Sequence, residues 1–283
     1  TNTVAIGYNA AASNQGNYSV AVGLNMGNDQ GTKSVSITSH YTQGDNSVAV
    51  AFTEEDTQGS NSVVIGIDSL QQDDYSTLIG SHTVDIGEEY SVNIGNYNRS
   101  GTGCTNIGTQ CNYISSGMSQ YNVAVGNHAG SYTQNPNTVA IGYNAGLDTQ
   151  GTGSIAIGFN ALNNTCGVNS IGVGALAGFT QPQYASISIG YQAGNTSAGT
   201  GSVNIGYNAN MTGASSNSIC IGQNTNCLFT NSMVISATGT VAGTTGACYL
   251  APMRHLGSSA PTGFYAAVYN STTGELSCLL YTS

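Results

Sequence analysis

Residues 122–223 decide the fold: Val123-Ala124-Val125-Gly126, Val139-Ala140-Ile141-Gly142, Ile155-Ala156-Ile157-Gly158, Ile171-Gly172-Val173-Gly174, Ile187-Ser188-Ile189-Gly190, Val203-Asn204-Ile205-Gly206 and Ile219-Cys220-Ile221-Gly222. The glycines recur every 16 residues without a slip. Each word is β-branched, small, β-branched, glycine, and period-2 alternation of this kind marks a short strand. One such strand cannot bury its apolar face alone, whereas copies stacked about 4.8 Å apart form a continuous core. The period therefore predicts an all-β chain folded as a parallel β-solenoid, one coil per repeat.

Outward from this block the rhythm loosens but persists. The glycine slot is marked by Gly7, Gly23, Thr38, Ala51, Gly66, Gly80, Gly95 and Gly108, then by Gly126 to Gly222, and Ser236 ends the series. That predicts about 16 coils of 13 to 18 residues. Val84-Asp85-Ile86-Gly87 falls between two markers and is read as the opposite side of one coil. Clusters of Gly, Asn, Asp and Ser between the words supply turns, because these residues tolerate positive φ or bond their own backbone.

The words resemble the head repeat of trimeric autotransporter adhesins (the YadA-like head), whose signature is Asn-Ser-Val-Ala-Ile-Gly. Asn46-Ser47-Val48-Ala49-Val50, Asn61-Ser62-Val63, Asn137-Thr138-Val139-Ala140-Ile141-Gly142, Asn169-Ser170-Ile171 and Asn217-Ser218-Ile219-Cys220-Ile221-Gly222 carry the resemblance, which covers roughly residues 1 to 236. It implies a left-handed β-roll with three chains packed side by side. Handedness rests on the resemblance alone, since the general crossover preference is right-handed.

The middle slot of each word is expected to point away from a core lined by the flanking Val and Ile. It holds Ala5, Ala21, Ala124, Ala140, Ala156, Gly172 and Ser188, among others. A solvent-facing strand position would carry Lys, Glu, Thr and Arg, so small residues there predict close approach of another chain. Side-by-side assembly, a homotrimer by the resemblance, is the expectation.

From Val241 onward the words stop, dividing the chain into a repeat domain (1–240) and a C-terminal capping or trimerisation segment (241–283). Tyr265 to Asn270, the turn Ser271-Thr272-Thr273-Gly274 and Glu275 to Tyr281 predict a β-hairpin cap for the open end. Val268-Tyr269-Asn270-Ser271-Thr272-Thr273-Gly274-Glu275-Leu276 resembles a segment near the end of phage and giant-virus fibre proteins. In those families a self-cleaving, endosialidase-type chaperone follows, so Ser283 is expected to be a processed end. Thr1 is not Met and Val4-Ala5-Ile6-Gly7 is already a word, so an upstream segment is expected as well.

Composition narrows the function. Three basic residues against 13 acidic ones, a formal charge of −10, leave nothing to neutralise a phosphate backbone, so nucleic acid is not an expected partner. No run of 18 apolar residues exists, so no spanning helix is expected. His40, His82, His128 and His255 are scattered, and no P-loop, HExxH or G-x-S-x-G motif occurs. The chain is not expected to be an enzyme and no cofactor is expected, calcium excepted. Seven cysteines lack a C-x-x-C pair, so zinc is not expected. They are read as small core or corner residues, with disulfides across a coil or between chains as the alternative.

Two candidate sites remain. Asp73, Asp74, Glu88 and Glu89 occupy one phase of neighbouring coils, predicting either a solvated acidic corner or a Ca²⁺ site with hard oxygen ligands. The aromatics after the glycine, Tyr143, Phe159, Tyr191 and Tyr207, predict either an exposed ladder for glycan stacking or rings packed under a corner or at a chain interface. The composite expectation is a trimeric fibre or adhesin, displayed extracellularly or on a virion, presenting corner loops to a host-surface glycan or protein. A self-assembling filament stacked end to end and a glycan-processing spike with an inter-chain site are the rivals.

Overall fold

In the computed structural model, residues 2–10, 13–24, 29–37, 42–52, 57–67, 73–85, 89–113, 120–210, 215–237, 248–251, 266–269 and 276–279 are described. Every described element is a strand, and the words stack in parallel within one 17-stranded sheet. Each word pairs with the next at the predicted register. Val4 lies opposite Val20, Val20 opposite Val35, Val35 opposite Val48 and Val48 opposite Val63. The ladder continues through Val139 opposite Ile155 to Ile219 opposite Met233. The loosely spaced first half thus obeys the same register as the regular block. The chain is a parallel β-solenoid.

A second side of the coil carries shorter pairs. Thr42–Gln43 pairs with Thr57–Gln58, and Thr133–Gln134 with Thr149–Gln150. Val84–Asp85 pairs with Arg99–Ser100, which puts that stretch on the opposite side of its coil, as its phase predicts.

The strand faces are the reverse of the expectation. Ala21, Ala124, Ala140, Ala156 and Ser188 expose no surface, and Gly172 is buried, within a single chain. Ala5, in the first word, is exposed. The flanking Val and Ile point outward, as the recurring half-buried, buried, half-buried or exposed pattern of the words records. The middle-slot residues are therefore inner packing and not the inter-chain contact they were expected to be.

The physical reason is the width of the coil. Gln150 stands on the second side, yet its Nε2 donates to the carbonyls of Val139 (2.8 Å) and Ser154 (3.3 Å) on the word side. One glutamine thus crosses the interior, leaving room for Ala or Ser but not for opposed Val and Ile. Gln43 and Gln58 make the same bridge, Gln43 to Val35 and Ser47, Gln58 to Val48 and Ser62. The Ser before the word locks the corner, as when the Ser47 hydroxyl donates to the Gly44 carbonyl at 2.6 Å. With so little apolar area inside, the inter-coil backbone ladder carries much of the cohesion, for example the Gly142 N–H to the Val125 carbonyl at 2.8 Å.

Glycine at the end of the word is demanded by its neighbour. Gly142 has φ +128°, and a Cβ there would stand 2.7 Å from the Gly158 carbonyl oxygen. No L-residue with a side chain fits that approach.

Residues 251–283 form a second unit. Within it Ala266–Tyr269 pairs antiparallel with Leu276–Leu279, the hairpin that the pattern predicts. Its turn and Ser283 lie outside the described residues.

Candidate functional site

Turning the words inside out creates the most prominent surface of the chain. Val139 and Ile141 flank Ala140 on the outer face, Ile155 and Ile157 flank Ala156, and the same pair recurs in each coil. Ile141 is 38% exposed, Ile157 36% and Ile189 38%. These side chains form two parallel columns of half-buried and exposed groups. At about 4.8 Å per coil, some 16 words make a strip roughly 70 Å long and 10 Å wide, on the order of 700 Å². A stable protein interface takes about 800 Å² from each partner. Thr77 and Thr105 are the only polar residues in these outward word positions, and no charged group stands among them.

A second surface is aromatic. One coil per strand spacing brings rings of equal phase to stacking distance. Tyr143 and Phe159 stack with centroids 5.7 Å apart and planes 10° apart, and Tyr191 and Tyr207 do so at 5.2 Å and 16°. All four are exposed, so within the chain they are not packed under a corner. The row breaks between them at Ala175. The N-terminal half adds rings that the spacing after the glycine did not flag. Tyr75 stacks on Tyr90 at 5.1 Å and His82 on Tyr97 at 4.7 Å. Their signal was a shared phase on neighbouring coils, visible once the short coils are aligned.

The acidic corner is partly used by the backbone. Asp73, Asp74 and Glu89 line one open depression with Thr57, Gln58, Gly59 and Ser60. Asp74 Oδ1 accepts the Ser60 N–H at 2.6 Å, and Asp45 Oδ1 accepts the Thr32 N–H at 2.6 Å in the same way. These carboxylates tie one coil to the previous one. Glu89 beside Tyr90 pushes that phenol above its ordinary range. Glu88 lies outside the described residues, and among the described residues no three acidic, His or Cys side chains are grouped to hold a metal.

Cys104, Cys111, Cys166, Cys220 and Cys227 are buried thiols, while Cys248 is exposed. Burial pushes Cys111 up to about 11 and raises Cys166, so both are inert at neutral pH. Cys220 and Cys227 pack in one buried cluster with Val234, and each thiol shifts the other, drawing Cys220 down and pushing Cys227 up.

No protein-family model matches this chain, and no curated protein matches it.

Proposed function

We propose that the chain is a subunit of an elongated homotrimeric fibre or adhesin, assembled through the outward Val and Ile columns, displayed on a cell or virion surface. The observation that carries this reading is the uncharged, β-branched strip running the length of the solenoid. Contiguous apolar patches of this size mark interaction surfaces. A partner for it must match a 4.8 Å pitch over some 70 Å, and another copy of the same solenoid does so by construction. Three copies is the stoichiometry that the resemblance to the YadA-like head implies. The exposed Tyr143–Phe159 and Tyr191–Tyr207 stacks are the surfaces offered for attachment, since sugar rings lie on aromatic faces, and three copies raise avidity.

The test uses Ile157→Asp, which places a charge on the strip without entering the coil. Sedimentation is expected to report three chains for the wild type and one for the variant, with the β-type circular dichroism kept. A wild type that sediments as a monomer overturns the reading. So does a long polymer in place of a discrete particle, which favours end-to-end stacking.

A further inference from the structure

We propose that Cys220 and Cys227 are joined by a disulfide in the mature protein, a covalent staple inside one of the last coils of the solenoid. Cys220 fills the middle slot of its word and has no exposed surface; Cys227, on the far side of the same coil, has none either. The two thiols pack in one cluster with Val234. Their other contacts point to the same small space. Cys220 Sγ donates to Thr225 Oγ1 at 3.1 Å, and Cys227 Sγ donates to the Ile219 carbonyl at 3.2 Å, on the peptide that carries Cys220. Two cysteines of one coil whose side chains enter the same packed cluster need only a local approach to reach bonding distance. Forming the bond frees Thr225 Oγ1, which keeps its own bond to the Gly222 carbonyl.

The pair Cys104 and Cys111 shows that spacing alone does not produce this geometry. It has the same seven-residue separation. Cys104, however, stands one residue before its word, and its Sγ donates to the Thr102 carbonyl at 3.7 Å. Cys111 Sγ donates to the Gly126 carbonyl of the next coil at 2.8 Å. Cys111 packs in a buried cluster that does not include Cys104, whereas Cys220 and Cys227 share one.

The chemistry is a two-electron oxidation by a disulfide of the glutathione class. One thiolate attacks the oxidant, forming a mixed disulfide and releasing one reduced thiol. The second thiolate then attacks the protein sulfur of that mixed disulfide, forming the Cys220–Cys227 bond and releasing a second reduced thiol. The two protein protons and two electrons end on the two released thiols. Since both sulfurs are enclosed, the reaction belongs to the folding chain, before the coil closes over them.

The full chain refolded with a mixture of oxidised and reduced glutathione, then denatured, alkylated and mapped by mass spectrometry, tests this. The expected product is a peptide linking Cys220 to Cys227 and lacking two hydrogen atoms, with Cys104, Cys111 and Cys166 alkylated. Alkylation of Cys220 and Cys227 to the same extent as Cys104 overturns the proposal, as does pairing of either with another cysteine. A second readout is thermal. The oxidised wild type is expected to melt on the order of 5 °C above its dithiothreitol-reduced form. That difference is expected to vanish in Cys220→Ala/Cys227→Ala, whose alanine at position 220 matches the residue in the same slot at 124, 140 and 156. An equal redox dependence in the double variant counts against the staple. None of these readouts depends on how many chains assemble.

Discussion

The coils of residues 48–109 and those of the regular block solve one problem with two different corners. In the first region the strands run on past the glycine slot, as Val63–Ile67, Thr77–Ser81 and Val92–Asn96. In the regular block they stop at three residues, as Val139–Ile141 and Ile155–Ile157, and the chain turns at the glycine. The coils between Gly66 and Gly108 have 13 to 15 residues, against 16 in the block. The longer coil uses its additional length for an aromatic-Asn-Ala corner that turns Ala145, Ala161 and Ala193 into the interior, all without exposed surface. The shorter coil lacks that alanine and fills the same space from the word itself, with Val64, Leu78, Asn93 and Asn106. The small cross-section takes its filling mainly from one side or the other, although Asn204 and Ala209 are both buried in one coil of the block and the word at Ala49 carries no large residue.

The comparison breaks most visibly at the middle slot. Ala140→Arg and Leu78→Arg put an unpaired charge inside a coil in each region, a cost of at least about 3 kcal/mol. Both variants are expected to lose folded coils locally, read as a lowered melting temperature and new protease cleavage around the substituted coil. An Ala140→Arg variant that keeps its melting temperature and merely fails to assemble would put the slot back on the outer face.

A smaller effect sharpens the idea that the interior is filled mainly from one side. Leu162 occupies a corner that holds Gly130, Gly146 and Gly194 in sister coils, and its side chain lies where a Gly172 Cβ would stand, 2.7 Å from Leu162 Cγ. Leu162→Ala is expected to cost about 2–5 kcal/mol. Gly172→Ala is expected to destabilise on its own but to recover stability in the Leu162→Ala background, since the added methyl then enters the vacated space. Denaturant melts of the four proteins measure the coupling, and strict additivity would show that the two positions do not share a volume.

The smallest effect concerns the acidic corner peculiar to the first region. With Asp74 already bound to the Ser60 N–H, calcium and a chelator are expected to give the same melting temperature to within about 1 °C. A calcium-dependent rise abolished by Asp73→Asn would assign the corner to a cation instead.

Much of this molecule was legible in the sequence, and the part that was not has a single cause. The words fixed in phase by Gly126 to Gly222 determine strand, period and register, because a backbone ladder between identical coils tolerates no slip. Period-2 alternation also determines that the middle residue and its flanks face opposite ways. It is silent on which way is in, for the pattern reads the same from either side. That choice belongs to the tertiary structure, where the second side of each coil approaches within one glutamine side chain of the first. Leu78 and the hydrogen-bonded pair Asn106 and Asn93 (2.9 Å) occupy the middle slot in the short coils, and side chains of that kind make sense there only as interior filling. The same limit separates the cysteines. Equal spacing relates Cys104 to Cys111 and Cys220 to Cys227, but only the coil's own path brings the second pair together, because position within the word, not distance along the chain, sets where a side chain points.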